Sequence, residues 1–332
     1  MSSDVVAVPK PRRGAITGKR WVFLVSLGLM AGLLFVPAGH SDYLNLTFRN
    51  ILMYAAMSYG WNLIGGYTGY ISFGNVAFFG IGAYCSAVLS KAGVDNLFAD
   101  VGLALIVNAL FAVAVGLPIL RLRGHYFGIA TLGVALGLTD LASNLDFLGG
   151  SGGASIKQIG EAHFTTYYYA MWAVTLACMI ATFFIARSKL GYAFVAIREN
   201  EEAAQVLGIS PTRYKVTAWA IGAMMGGAAG AVFGAANGFI DPPTAFAVDN
   251  NVFPIAMAIL GGMGTASGPF IGALLLSGAN ELLQQHFLKL HALFFGGIIV
   301  LMILFLPRGL MYLVGLRGGM RRWLSDLAVF RV

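Results

Sequence analysis

The stretch VGLALIVNALFAVAVGLPIL, residues 101–120, contains no charged side chain and only one strongly polar one, Asn108. A run of about 20 apolar residues is the length that an α-helix needs to cross the hydrocarbon core of a bilayer. The run is continuous rather than alternating, which argues against a strand of a membrane β-barrel. The residues that follow, RLRGH (121–125), are basic, as expected of a cytoplasmic loop. This stretch therefore predicts a membrane-spanning helix that ends on the cytoplasmic side.

The composition of the whole chain indicates the same class of protein. Of the 332 residues, 58% are hydrophobic and only 11% are charged, whereas soluble domains carry about 25% charged residues. The 44 glycines favour close helix packing in lipid. The net charge of +7 comes from Lys and Arg clustered in a few loops, which argues for cytoplasmic loops and against nucleic-acid binding. We therefore predict an all-α polytopic membrane protein.

About ten transmembrane helices with glycine-rich broken-helix segments are expected. The predicted spans lie at about 21–39, 46–64, 76–90, 101–120, 126–142, 167–186, 216–240, 252–260, 270–283 and 292–306. With ten spans, every basic cluster lies on one side of the membrane. The eighth span is short, so a re-entrant or broken helix is the alternative there. The predicted domains are a cytoplasmic basic N-terminus (1–20), a transmembrane domain (21–306) with a cytoplasmic loop (187–215), and a cytoplasmic basic tail (307–332).

The polar residues give no indication of a catalytic or metal site. The two cysteines, Cys85 and Cys178, lie in apolar segments and are expected to be packed free thiols. The histidines show no ligand spacing, and no GxxxxGK[ST] phosphate loop is present. No Ser/His/Asp or paired-carboxylate arrangement stands out. We therefore predict that the chain is not an enzyme and binds no cofactor or metal.

The segment RENEEAAQVLGIS (198–210) places four charges in its first five residues, in a chain that otherwise avoids charge. Glu, Ala, Gln and Leu favour a helix, and Gly208 is a suitable helix stop. By the predicted topology, the segment lies in the cytoplasm between the sixth and seventh spans. A short, charged, exposed helix at this place predicts a contact with a soluble partner protein. The alternative is a solvated loop helix without a partner.

Two glycine-rich segments interrupt the apolar pattern: GGYTGYISFGN (65–75) and GGMGTASGP (261–269). Unwound backbone at membrane depth is tolerated only when it is buried in protein or lines a cavity, and the ends of half-helices present free N–H and C=O groups to a solute. We therefore predict residues of a solute path in the first segment: Gly65, Gly66, Gly69, Ser72, Gly74 and Asn75. The alternative for both segments is tight helix packing. Either a duplicated fold or packing alone would explain why the two segments resemble each other.

Glu202-Ala203-Ala204, followed by three residues and then Gly208, resembles the EAA loop of ABC importer permeases. Five further blocks resemble, in order, permeases for branched-chain amino acids of the LivM type. They are GYTGYISFGNVAFFGIGAY (66–84), LRLRGHYFGIATLG (120–133), LGGSGGAS (148–155), AILGGMGTASGPFIGA (258–273) and PRGL (307–310). The resemblance covers roughly residues 45 to 315. It has two departures: Asn75 stands where many members carry His, and the acidic residue of the fifth span comes late, as Asp140.

This resemblance implies a transmembrane subunit of an ABC importer in a bacterial inner membrane, with leucine, isoleucine and valine as solutes. It implies that the loop helix docks into an ATPase subunit, and it assigns this coupling to Arg198, Glu199, Glu201, Glu202, Ala203, Ala204 and Gly208. The implied partners are a second related permease, two ATPase subunits that use the ATP, and a periplasmic binding protein. The alternatives are a urea or short-amide permease of the same family, and an ion-coupled transporter, which would favour buried acidic residues in mid-span.

Overall fold

The computed structural model of the chain describes residues 13–37, 42–122, 124–157, 163–286, 296–297, 300 and 309–311. The predicted tenth span and the basic tail lie largely outside the described residues, as does most of the N-terminus. The described residues form twelve α-helices. In chain order, these are α1 (Arg13–Gly32), α2 (Asp42–Trp61), α3 (Asn75–Lys91), α4 (Leu97–Ile119), α5 (His125–Asn144), α6 (His163–Arg187), α7 (Lys189–Glu199), α8 (Glu201–Val206), α9 (Pro211–Asn237), α10 (Pro242–Ala245), α11 (Asp249–Gly261) and α12 (Gly268–His286).

Several of these helices have the length and composition of membrane spans. Within the described residues, five segments qualify: Leu97–Ile119, His125–Asn144, Thr165–Arg187, Pro211–Asn237 and Pro242–Gly261. The prediction of an all-α membrane protein is confirmed. The count of ten spans stays a prediction, although a described helix overlaps each of the first nine predicted spans.

Helix α9 is the centre of the bundle and packs against α2, α3, α4 and α6. Its glycines let the backbones of neighbouring helices come close. A β-carbon at Gly230 would lie 2.0 Å from the carbonyl oxygen of Phe79 on α3, and one at Gly82 of α3 would lie 2.0 Å from the carbonyl oxygen of Gly227. These contacts exist only because the positions carry no side chain. Small residues at helix interfaces allow the dispersion contacts that hold membrane helices together.

The two ends of the bundle differ in what they carry. At one end, a two-stranded antiparallel sheet joins Ala154–Ser155 (β1) to Phe239–Ile240 (β2). At the other end, α9 begins next to α7 and α8. We refer to these as the strand end and the α8 end.

The first glycine-rich segment differs from its prediction. The helix continues beyond α2 as a π-helical turn over Asn62–Tyr67, so Gly65 and Gly66 are helical rather than unwound. The absence of a side chain at each glycine leaves space for a side chain one turn earlier on the same helix. A β-carbon at Gly65 would lie 2.5 Å from the Trp61 ring, and one at Gly66 would lie 2.0 Å from Asn62 Oδ1. The chain becomes irregular only after this turn, and it remains so up to α3.

Replacing Gly230 with Ala is expected to lower the free energy of unfolding by about 1–3 kcal/mol, because an overpacked interface forces backbone shifts. Gly133→Ala on α5 is the matched control, since a β-carbon there meets nothing within 4 Å. The measurement is the thermal unfolding midpoint of the two variants in detergent. Equal midpoints would contradict the close packing of α3 on α9.

Candidate functional site

The charged segment forms two short helices rather than one. Asn200 separates α7 from α8 and caps α8, because its side chain accepts a 3.0 Å hydrogen bond from the amide of Ala203. Asn at this position satisfies an N–H group that has no partner within the helix. Of the predicted coupling residues, Arg198 and Glu199 therefore belong to α7, and the others belong to α8 or to its C-terminal turn.

Gly208 ends α8, as predicted. It has a φ of +85°, a left-handed conformation that glycine adopts without steric cost. The amide of Gly208 donates to the carbonyl of Gln205 at 2.9 Å, and the amide of Ile209 donates to the carbonyl of Ala204 at 3.0 Å. These two bonds form a Schellman cap. A β-carbon at Gly208 would meet nothing within 4 Å, so backbone conformation rather than space favours glycine here.

The C-terminal turn of α8 presents apolar side chains to solvent. Val206 is 88% exposed and Leu207 is 79% exposed. Ala203 is also exposed, whereas Ala204 is buried. Exposed apolar groups next to each other mark contact surfaces. Sequence analysis did not single out Val206 and Leu207 within this segment; the signal for them is that two apolar residues directly precede the helix-stop glycine.

Lys215 fixes α8 to the bundle. Its side chain is buried, and its ammonium group donates hydrogen bonds to Glu201 Oε1 and the Tyr70 hydroxyl, both at 3.0 Å, and to the carbonyl of Leu120 at 3.3 Å. The Tyr70 hydroxyl also donates to Glu201 Oε2. Thus Glu201 is an internal ion-pair partner rather than an exposed surface charge. One cation connects α8, α9, the end of α4 and the segment after the π-helical turn.

Arg198 reaches from α7 to both glycine-rich segments. Its Nη1 donates to the carbonyl of Gly66 at 3.0 Å, and its Nη2 donates to Glu199 at 3.0 Å. A β-carbon at Gly69 would lie 2.8 Å from Arg198 Cγ, and one at Gly264 would lie 2.8 Å from Nη1. The structure therefore brings a predicted coupling residue, Arg198, together with two predicted path residues, Gly66 and Gly69.

Asn62 joins the two glycine-rich segments to each other. It is fully buried. Its Oδ1 accepts a 2.8 Å hydrogen bond from the amide of Gly264, and its Nδ2 donates to the carbonyl of Thr265 at 3.0 Å. The Tyr59 hydroxyl donates to the next carbonyl, that of Ala266, at 2.9 Å. Sequence analysis missed Asn62, whose signal is a lone amide in an apolar span four residues before Gly66.

The remaining predicted path residues point into the fold. Ser72 Oγ accepts from the amide of Gly74 at 3.2 Å, and Asn75 Nδ2 donates to the carbonyl of Met57 at 3.1 Å. A β-carbon at Gly74 would lie 2.7 Å from the carbonyl oxygen of Thr131 on α5. In this conformation, these residues hold α3 against α2 and α5. Their role in a solute path stays a prediction.

The cysteines and acidic groups give no second cluster in the described part of the chain. Cys85 and Cys178 are buried free thiols, as predicted. Among the residues that the structure describes, no three His, Cys, Asp or Glu side chains are grouped so as to hold a metal ion. The described site contains hydrogen bonds, one buried ion pair and an exposed apolar turn.

The sequence is similar to known transport proteins. A family model described as branched-chain amino acid transport system / permease component matches residues 44–303. The high-affinity branched-chain amino acid transport system permease protein LivM of Salmonella typhimurium is 31% identical over 92% of this chain and 79% of its own length, and that of Escherichia coli K12 gives the same values. The LivH permease protein of the same transport system in Salmonella typhimurium is 29% identical over 78% of this chain and 91% of its own length. No solved structure gives a significant match.

Replacing Lys215 with Met is expected to destabilise the attachment of α8 by about 3 kcal/mol, because Glu201 is left as an uncompensated, mostly buried charge. The control is Glu199→Gln. The Arg198–Glu199 pair is 35% and 70% exposed, and such pairs contribute about 0–1 kcal/mol. Amide hydrogen exchange of α8 measures the effect. Exchange that is equally slow in both variants would show that Lys215 does not fix α8.

Proposed function

Because the chain belongs to the family of branched-chain amino acid transport system permease components, we propose that it is the transmembrane permease of an ABC importer for leucine, isoleucine and valine. Permease function follows from the family. One observation carries the choice of solute: the 31% identity, over 92% of the chain, to a permease named for branched-chain amino acids.

The proposed transporter contains a second, related permease beside this chain. One organism, Salmonella typhimurium, has two such permeases, LivM and LivH, and this chain is similar to both. Two ATP-binding cassette subunits bind and hydrolyse the ATP, and a periplasmic protein delivers the solute. This chain contributes part of the solute path and a surface that couples solute movement to ATP hydrolysis.

The proposed topology has ten spans in a bacterial inner membrane, with both termini in the cytoplasm. The α8 end then faces the cytoplasm and the strand end faces the periplasm. The basic residues near the α8 end support this orientation, since Lys and Arg concentrate in cytoplasmic loops. They include Arg187, Lys189, Arg198 and Arg213.

Helix α8 is the proposed docking element for the ATPase subunit. Val206 and Leu207 supply an apolar contact, Ala203 allows close approach, and Glu202 adds charge. Gly208 sets the turn after the helix. These groups lie on the exposed side of α8, away from the buried Ala204. Closure of the ATPase pair on ATP would move the docked helix as a lever.

Two contacts would transmit that movement into the membrane. The Lys215–Glu201 pair links α8 to the start of α9. The bond from Arg198 to the Gly66 carbonyl links α7 to the π-helical turn, and the same guanidinium packs beside Gly264. Movement of α7 and α8 would therefore displace the central helix α9 and both glycine-rich segments together. Alternating access requires such a coordinated displacement of the helices around the solute path.

The proposed solute is tested by uptake of labelled leucine and labelled urea in the native host, with and without this gene. Loss of leucine uptake alone is the expected result. Loss of urea uptake alone would assign the chain to the amide-transporting branch and refute the amino-acid proposal. Uptake that persists without ATP but stops with an uncoupler would indicate an ion-coupled transporter instead.

Replacing Gly208 with Asp is expected to leave the chain in the membrane and to abolish leucine uptake. Gly208→Asn is the matched control: Asn and Asp both enter the left-handed region more readily than other residues with side chains, and a β-carbon at this position has free space. The two variants thus differ mainly in charge. Leucine uptake and ATP hydrolysis are measured for both. Normal uptake by the Asp variant would refute a docking role, and equal loss in both would assign the defect to the backbone.

A further inference from the structure

A cavity of about 150 Å³ lies between α2, α11 and α12, separate from the α8 network. One part of its wall is apolar and is formed by Ile51, Phe253 and Met257. The rest is mainly polar and includes Asn50, Tyr54, Ser277, Asn280, Glu281 and Gln284. The cavity thus offers a hydrophobic surface beside amide, hydroxyl and carboxylate groups.

The cavity lies toward the strand end of the bundle. Helix α12 begins at Gly268, next to the second glycine-rich segment at the α8 end. At 1.5 Å per residue, Ser277 lies about 14 Å and Glu281 about 20 Å along the helix from that point. The hydrocarbon core of a bilayer is about 30 Å thick. Ser277 is therefore near the middle of the bundle, and Glu281, which bonds to Tyr43 in the first turn of α2, is near its strand end.

Two side chains at the cavity, Ser277 and Glu281, can form further hydrogen bonds or ion pairs with a ligand. The hydroxyl oxygen of Ser277 is buried and has no hydrogen-bond partner among the described residues. Glu281 accepts a hydrogen bond from the Tyr43 hydroxyl through Oε1. In the described part of the chain, Lys and Arg form ion pairs with other acids and none with Glu281. A carboxylate that lines a cavity beside apolar and polar groups, with no cationic partner among the described residues, is available to bind the cationic group of a ligand.

We propose that this cavity receives the amino acid during transport, with the Glu281 carboxylate binding its ammonium group. The apolar wall contacts the aliphatic side chain. The amide of Asn50 is the donor available for the solute carboxylate. This inference rests on the proposed function and adds a site to it. It differs from the path predicted around Ser72 and Asn75, whose side chains already bond within the chain.

The first test asks whether the cavity contains water and admits the solute. Asn280→Cys is introduced into the complete transporter, and a membrane-impermeant thiol reagent is added from outside. The background is low because both native cysteines are buried. The control is Leu275→Cys, on the same helix but outside the cavity and 50% exposed; it should react slowly in lipid, since the reactive species is the thiolate. Gln284→Cys is the second variant if Asn280→Cys does not fold.

The expected result is rapid labelling of Asn280→Cys, slowed by L-leucine together with the binding protein. Adding Glu281→Gln should weaken this protection about tenfold or more, because a hydrogen bond to a charged group is lost. Adding Asp146→Asn, an exposed acid in the loop after α5, should leave protection unchanged.

The other outcomes separate the two proposals. Absence of labelling in both cavity variants, or labelling without leucine protection while leucine uptake is normal, would overturn the cavity site and leave the proposed function intact. Protection that survives Glu281→Gln unchanged would overturn the role of the carboxylate. Absence of leucine uptake by the unmodified transporter would remove the proposed function and the site with it.

Discussion

In hydrocarbon, every backbone N–H and C=O group must find a partner within the protein. This chain leaves its helices twice between apolar segments, at residues 68–74 and 262–267, so the fold depends on side chains that satisfy the freed groups. Asn62 bonds to the backbone of Gly264 and Thr265, and Tyr59 bonds to Ala266. These bonds join α2 to the α11–α12 pair. Without them, several buried polar groups would be unpaired, each at a cost of several kcal/mol.

The same constraint connects the membrane part to the loop. The carbonyl of Gly66 lies in the π-helical turn, and its partner is Arg198 of α7. Lys215, buried at the start of α9, needs Glu201 of α8 as its counter-charge. The loop helices are therefore not a separate surface feature. They complete the hydrogen bonding of the bundle, and they connect α8 to the glycine-rich segments through a short series of contacts.

The proposed solute cavity is distinct from the glycine-rich segment, 65–75, in which the sequence analysis predicted a solute path. The glycine-rich segment after α2 is closely packed and bonded, and it contacts α7 and α8. The cavity between α2, α11 and α12 has an apolar and a polar wall, lies nearer the strand end, and contains the Ser277 hydroxyl, which has no hydrogen-bond partner among the described residues. A broken helix that is fixed by its neighbours is suited to transmit movement, whereas open polar space is suited to hold a solute.

The sequence by itself determined the features that depend on local composition. Continuous apolar runs such as residues 101–120 determined the helical membrane class, and Gly208 determined the end of α8, because a left-handed residue after a helix favours glycine. Tertiary structure decided which polar residues act together. Asn62 and Gly264 are 202 positions apart, and Arg198 and Gly66 are 132 apart; such pairs leave no periodic signal. Only the packed bundle creates the low-dielectric interior in which a lone amide or ammonium must find a distant partner.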